Sequence, residues 1–204
     1  MNNGAPQTPL GVILAGGKSS RMGRDKAWLT FFGQPMLARV ASVVQNVTGE
    51  LCVSGRDPAA FGIRAPWLPD AKPGQGPAGG VLTVLEATER PCLVVSCDLP
   101  FLDEATLARL VAAWRVRPAG TRMTTYRIAE TGYVESLVAI YDPEGAPLLR
   151  ESLAHGQRRL SAIFPEPLRC HIDYDKADRN TARAFFNVNA PPDLLLARDM
   201  EIGS

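Results

Sequence analysis

Apolar residues along this chain follow two rhythms. Short continuous runs, Val12-Ile13-Leu14, Leu51-Cys52-Val53 and Cys92-Leu93-Val94-Val95-Ser96-Cys97, have the length and β-branched content of strands buried on both faces. Between them, apolar residues recur at helical spacing: Met36, Leu37, Val40, Val43, Val44 and Val47 after Pro35, and Val81, Leu82 and Leu85 after Pro77. Leu107, Leu110, Val111 and Trp114 repeat the pattern behind Asp103, an N-cap residue. A short strand is expected over 63–68, running into Asp70 and the stretch AKPGQGPAGG. The alternation predicts an α/β fold with a doubly wound, mostly parallel, Rossmann-like sheet. Its ligand crevice should lie at the carboxyl ends of the strands.

The second half changes character. Strands are expected over 121–128 and 133–141, joined at Glu130-Thr131-Gly132 as a late β-hairpin. A helix over 147–154, stopped by Gly156, is followed by strands over 168–173 and 185–189 and a closing helix over 191–198. No repeat or long linker divides the 204 residues, so one domain is expected, with the hairpin half packed on the same sheet.

Composition narrows the function classes. With 46% hydrophobic and 21% charged residues the chain can bury a sizeable core. A net charge of +1 gives no bulk attraction to nucleic acid or an anionic membrane, so neither is expected as a partner. No apolar run approaches a membrane span, and MNNGAPQTPL has neither the basic nor the apolar region of a signal peptide. Cys52, Cys92, Cys97 and Cys170 form no C-x-x-C pair, and His155 and His171 are the only imidazoles. A zinc site or disulfide framework is therefore not expected, and a reducing, cytoplasmic setting is.

The densest chemistry follows the first strand, in GVILAGGKSSRMGRDK. Gly16 and Gly17 allow backbone amides to approach an anion closely, while Lys18, Arg21, Arg24 and Lys26 supply countercharge for a polyphosphate. The alternative is a solvated surface loop, which leaves the absence of a carboxylate before Asp25 unexplained. The spacing is not that of a P-loop: five residues separate Gly17 from Gly23, and Arg24-Asp25-Lys26 follows. Asp98 ends the most apolar strand beside Pro100, where a carboxylate faces the crevice and serves as ligand to Mg²⁺, with Mn²⁺ as a substitute. The competing role, helix N-cap, falls to Asp103. Asp70 has two readings: a contact to ribose, base or metal-bound water, or a turn initiator.

These residues resemble a family. Leu14-Ala15-Gly16-Gly17-Lys18-Ser19-Ser20-Arg21-Met22-Gly23, with Asp25-Lys26, looks like the signature of nucleotidyltransferases that activate sugar phosphates. Gly76-Pro77-x-x-Gly80, Cys97-Asp98-x-Pro100-Phe101 and Asn187-Val188-Asn189 resemble one branch, the molybdenum cofactor guanylyltransferases, over about residues 10 to 198. The resemblance implies the nucleotide-diphospho-sugar transferase fold, with GTP and molybdopterin as substrates and pyrophosphate as product. About 10–116 would then bind nucleotide and about 120–198 the acceptor.

By the same resemblance Gly16, Gly17 and Lys18 hold the β,γ-phosphates. Arg21 stabilises the leaving pyrophosphate or meets the incoming phosphate. Lys26 sits at the α-phosphate and Asp98 carries Mg²⁺. Leu14, Ala15, Ser54, Asp70 and Gly79 line the nucleotide. Asn187 and Asn189 read the pterin edge from one face of a strand, or else cap the turn before Pro191. Arg158 or Arg159 clamps the pterin phosphate, or marks a solvated helix end. Transient contacts with molybdoenzymes, their chaperones or a GTP-binding accessory protein are implied as well. Two departures stand out: Ser54 where relatives carry Asn, and Ser136 where proline is frequent.

Three rival readings remain. A cytidylyltransferase for the same pterin typically begins L-A-A-G, so Gly16 favours guanine. Sugar-phosphate or terpenoid-pathway nucleotidyltransferases usually add an arm or a further domain. A non-catalytic nucleotide-binding subunit has no reason to keep both Lys26 and Asp98.

Overall fold

The computed structural model describes residues 8–16, 25–72 and 74–203. Its frame is one seven-stranded sheet. Strand β1 (Leu10–Leu14) leads through the two-residue strands β2 (Thr30–Phe31) and β3 (Gln34–Pro35) to helix α1 (Met36–Thr48). Then follow β4 (Leu51–Ser54), β5 (Trp67–Leu68), α2 (Gly76–Thr88), β6 (Cys92–Ser96) and α3 (Glu104–Arg115). The second half comprises β7 (Met123–Ile128), β8 (Val134–Tyr141), α4 (Ala146–Ala154), α5 (Leu160–Ile163), β9 (Arg169–Tyr174), α6 (Arg179–Ala184) and α7 (Pro191–Ile202).

The sheet order is β5-β4-β1-β6-β8-β7-β9, and β2 with β3 forms a separate small hairpin. β1 pairs in parallel with both β4 and β6, and β7 in parallel with β9; β8 runs against its neighbours β6 and β7. The mostly parallel α/β sheet and the late hairpin expected from the periodicity are both present. Gly132 closes the hairpin at φ +69, donating its N–H to Ile128 O.

Alternation along the strands splits the core into two layers. Ile13, Val53, Val95 and Ile140 face one side with α1 and α3; Val12, Cys52, Val94 and Tyr141 face the other with α2, α4 and α5. β6 is buried throughout, as its continuous apolarity predicted for a central strand. Asp103 caps α3, accepting from Thr106 N at 2.7 Å. Cys52 and Cys92 are free and buried in the second layer; burial pushes the Cys92 thiol up to about 11. No described helix is long and apolar enough to cross a membrane.

A third, smaller cluster supports the site. Leu29, Phe31, Met36, Phe101, Val188 and Ala197 pack together, joining the β2–β3 hairpin, the exit of β6 and α7. Two guanidinium groups cover its rings, Arg198 over Phe31 at 4.7 Å and Arg183 over Phe101 at 4.6 Å, and Arg39 lies over the adjoining, exposed Phe32 at 4.1 Å.

Several boundaries differ from the periodicity. The strand expected over 63–68 shrinks to Trp67–Leu68, because Pro66 and Pro69 flank it and lack ladder donors. Gly76, Gly79 and Gly80 lie inside the first turns of α2, not in a loop. The segment 185–189, expected as a strand, follows α6 without joining the sheet. Its Phe185 and Val188 are buried in two different clusters, and Val188 N donates to Asp98 O at 3.0 Å. The apolar pattern there reflects docking, not pleating.

Gly11 in β1 leaves no room for a side chain. A Cβ would lie 2.5 Å from Val44 Cγ1 and 2.8 Å from Glu50 O. Gly11→Ala should therefore separate α1 from β1 and destabilise the protein by about 1–3 kcal/mol, the range for overpacking, as read by urea denaturation.

Candidate active site

The chain runs outward from β1 to β4 and β5, then returns to place β6 on the other side of β1. The strand order reverses between β1 and β6, and a crevice opens at their carboxyl ends. Ala15 and Gly16 leave one lip and Asp98 the other. Gly17, Lys18 and Arg21, expected to hold phosphates, lie outside the described residues.

Lys26 and Asp98 meet across this crevice. Lys26 opens a 3-10 helix (Lys26–Trp28) capped by Asp25, whose Oδ1 accepts from Ala27 N at 3.1 Å. Lys26 Nζ donates to Asp98 Oδ2 at 2.6 Å and to Asn189 Oδ1 at 3.1 Å. Asp98 is 5% exposed, and its second oxygen, Oδ1, is buried with no hydrogen-bond partner among the described residues. Pro100, in the turn that carries Asp98 out of β6, accepts from Arg39 Nε. Burial pushes the neighbouring Cys97 thiol up to about 12, so it is no nucleophile at neutral pH.

A buried carboxylate oxygen without a donor is costly unless a cation completes its surroundings. A hard divalent ion that takes one protein carboxylate and otherwise uses phosphate oxygens and water fits this donor set. Among the described residues no group of three or more His, Cys, Asp or Glu side chains is placed to hold a metal ion.

The nucleotide-side residues gather on the β1 lip. Ala15 N donates to Ser54 O at 2.9 Å, extending the β1–β4 ladder, while the buried Ser54 Oγ has no partner among the described residues. Asp70 reaches Gly16: a Cβ there would lie 3.3 Å from Asp70 Oδ2. Gly80, more than Gly79, presents α2 to the strand ends; a Cβ on it would come within 3.0 Å of Leu14 Cδ2 and 3.5 Å of Ser54 Oγ. Gly79 is buried and turns toward Gln75. Ala15, Gly16, Gly55, Arg56, Asp70 and Gly74 line a cleft of about 660 Å³, walled on its far side by Trp28 and Phe61. A larger cavity, about 830 Å³, lies at the opposite end of the strands, where β1 and β6 begin; its Arg117–Asp142 and Arg90–Glu50 groups pair with each other and contribute nothing to the crevice.

The acceptor-side residues divide. Asn189 is in the crevice through its bond to Lys26, and its own N–H is held by Asp193 Oδ2 at 2.9 Å. Asn187 is exposed and donates its Nδ2 to Phe185 O at 3.1 Å. Because 185–189 is not a strand, the two amides do not share a strand face. Arg158 and Arg159 lie exposed between α4 and α5, and Arg159 N-caps α5; neither bonds to Lys26, Asp98 or Asn189.

Gly55, directly after β4, also belongs to this lip. It sits at φ +93, and a Cβ would lie 2.6 Å from Gly16 Cα and 2.7 Å from Gly16 N. Two backbones touch here. Only the long-range packing of β4 against the exit of β1 reveals it; local sequence shows nothing beyond Ser-Gly-Arg.

Comparison with known proteins agrees with this geometry. The family described as the MobA-like NTP transferase domain matches residues 11–170. A protein of Pelotomaculum thermopropionicum named "Probable molybdenum cofactor guanylyltransferase" is 35% identical, over 93% of this chain and 92% of that protein. The molybdenum cofactor guanylyltransferase of Rhodobacter capsulatus is 30% identical, over 93% of this chain and 94% of its own. Among solved structures, molybdopterin-guanine dinucleotide biosynthesis protein A from Archaeoglobus fulgidus superposes with a TM-score of 0.77 at 22% identity, covering 95% and 99% of the two chains, and shares the fold. Fold, crevice and sequence together define an enzyme of the nucleotidyltransferase class. The chain belongs to the MobA-like NTP transferase family.

Gly55→Ala should force Gly16 off the lip of the crevice and place alanine in a left-handed conformation costing about 1–2 kcal/mol. Calorimetry with a nucleoside triphosphate should read a loss of affinity of about tenfold or more, ~1.4 kcal/mol.

Proposed function

We propose that the protein transfers GMP from GTP to the terminal phosphate of molybdopterin and releases pyrophosphate. The observation that carries the reading is Asp98, whose buried carboxylate follows the central strand with one oxygen on Lys26 and the other without a partner among the described residues. Names of relatives covering nearly the whole chain supply the substrates.

The residues present fit a bound Mg²⁺, with Mn²⁺ as a substitute: Asp98 would hold it, together with the triphosphate. When bound, the ion neutralises phosphate charge and polarises the phosphorus under attack. The protein's own part is alignment and charge. Lys26 is delivered to the crevice by a capped turn and oriented by Asp98 and Asn189, so its ammonium is in place before the α-phosphate arrives. Gly16 leaves backbone open at the lip, and Asp70 stands over it, within reach of the nucleoside. Gly17, Lys18 and Arg21 follow directly in sequence as the triphosphate contacts. The pterin phosphate enters from the side of Asn189 and attacks the α-phosphorus, and the bond to the β-phosphate oxygen breaks. Arg158 or Arg159 remains the proposed clamp for that incoming phosphate.

Incubation with each ribonucleoside triphosphate, Mg²⁺ and molybdopterin should release pyrophosphate with GTP. Release with CTP and not GTP overturns the base assignment, and release with a hexose phosphate in place of the pterin overturns the acceptor. Asp98→Asn should lower kcat by about a thousandfold, ~4 kcal/mol of barrier, with a Tm within a few degrees of the parent. It should also abolish the GTP-dependent Mn²⁺ signal in paramagnetic resonance; a signal retained by the variant removes Asp98 as the ligand.

A further inference from the structure

Arg56 follows Gly55 at the exit of β4. Its Nε donates to Ala15 O at 2.9 Å and its Nη1 to Asp25 Oδ2 at 2.5 Å. Ala15 and Asp25 are the two residues that bracket 16–24, so one guanidinium joins both ends of the basic segment. We propose that Arg56 is a positioning residue that closes the base of this segment and fixes Lys26 against Asp98. The inference rests on the assignment of that segment to the triphosphate.

The contacts form a circuit. Asp25 uses one oxygen for Arg56 and the other to cap the turn that carries Lys26. Trp28, at the end of that turn, stacks on Phe61 with ring centroids 4.1 Å apart. Phe61 in turn lies 5.7 Å beneath the Arg56 guanidinium. The root of Arg56 is fixed because Gly55 presses its backbone onto Gly16. A planar guanidinium supplies two donors in one rigid geometry, whereas an ammonium is a single point charge and cannot span both acceptors in the same way.

Magnitudes separate positioning from simple stability. The Arg56 and Asp25 side chains are 23% and 39% exposed, and ion pairs so exposed contribute about 0–1 kcal/mol to folding. Displacing a reacting or binding group by about 1 Å costs on the order of a hundredfold in function. The clamp should therefore matter little to Tm and much to the triphosphate.

The test uses Arg56→Lys, Asp25→Asn and the double variant. Each single variant should keep its Tm within a few degrees and weaken GTP–Mg²⁺ binding, measured by calorimetry without acceptor, by about tenfold, well below the hundredfold bound. The KM for the acceptor should stay unchanged. Because both residues act through one contact, the double variant should lose no more than the weaker-binding single variant. Trypsin cleavage after Lys18, Arg21 and Arg24 should accelerate severalfold in all three. A folded Arg56→Lys or Asp25→Asn protein with parental GTP affinity and parental cleavage overturns the clamp, as does a large fall in Tm in both single variants. If the parent binds no GTP, the guanylyltransferase reading fails. The cleavage rates then decide the clamp: acceleration supports it and parental rates overturn it.

Discussion

The contact between Lys26 and Asp98 organises everything around it. The two residues are 72 positions apart in sequence and meet because the strand order turns back at β1, bringing the exit of β6 beside the exit of β1. With side-chain exposures of 22% and 8%, the pair has surrendered much of its hydration. Such pairs return little net stability, since desolvation consumes most of the Coulombic gain. Asp98 Oδ1, buried with no partner among the described residues, makes the arrangement costlier still. The pair stands where β6 ends, beside the exit of β1.

Much of the second half serves this contact from behind. α7 carries Asp193, which accepts from the N–H groups of Asn189 and Ala190 at 2.9 and 2.8 Å and so holds Asn189 against Lys26. α7 is itself tied to the β2–β3 hairpin by Arg198, laid over Phe31, and by Glu201, which accepts from Phe32 N. That hairpin follows directly on the turn that delivers Lys26. Strand exit, hairpin and terminal helix thus converge on one ammonium group from three separate stretches of chain. Aromatic faces covered by guanidinium groups suit the task, because they are packed and rigid while remaining at the surface.

Sequence periodicity was most legible where burial is two-sided and continuous. β6 and the helices α1 and α3 are where their apolar residues say, and Asp103 caps as its type predicts. It failed where an apolar pair has a reason other than a regular element. Phe185 and Val188 belong to a short apolar stretch with the look of a strand, yet each fills a different cluster, and Asn187 between them bonds back to Phe185 O. The β2–β3 hairpin, with Phe32 at φ +50 and Gly33 at φ +77, carries no common turn signature and escapes the same reading. At the site, Asp98 and Lys26 were visible because a carboxylate ending an apolar strand and a lysine ending a basic loop are locally odd. Gly55 and Arg56 were not, because their partners lie 39, 41 and 31 residues away: Gly16, Ala15 and Asp25.

The amino-acid order alone therefore determined the layered α/β class, the end of the strands at which the candidate site gathers and the residue types proposed to carry its chemistry. All three follow from local patterning of apolar runs, glycines and charges. Only the tertiary structure decided which charges face one another, that Asn189 joins Lys26 while Asn187 turns to Phe185, and that Arg56 spans the root of the basic segment. Those outcomes depend on strand order and on backbone contacts between distant elements, and no local pattern encodes either.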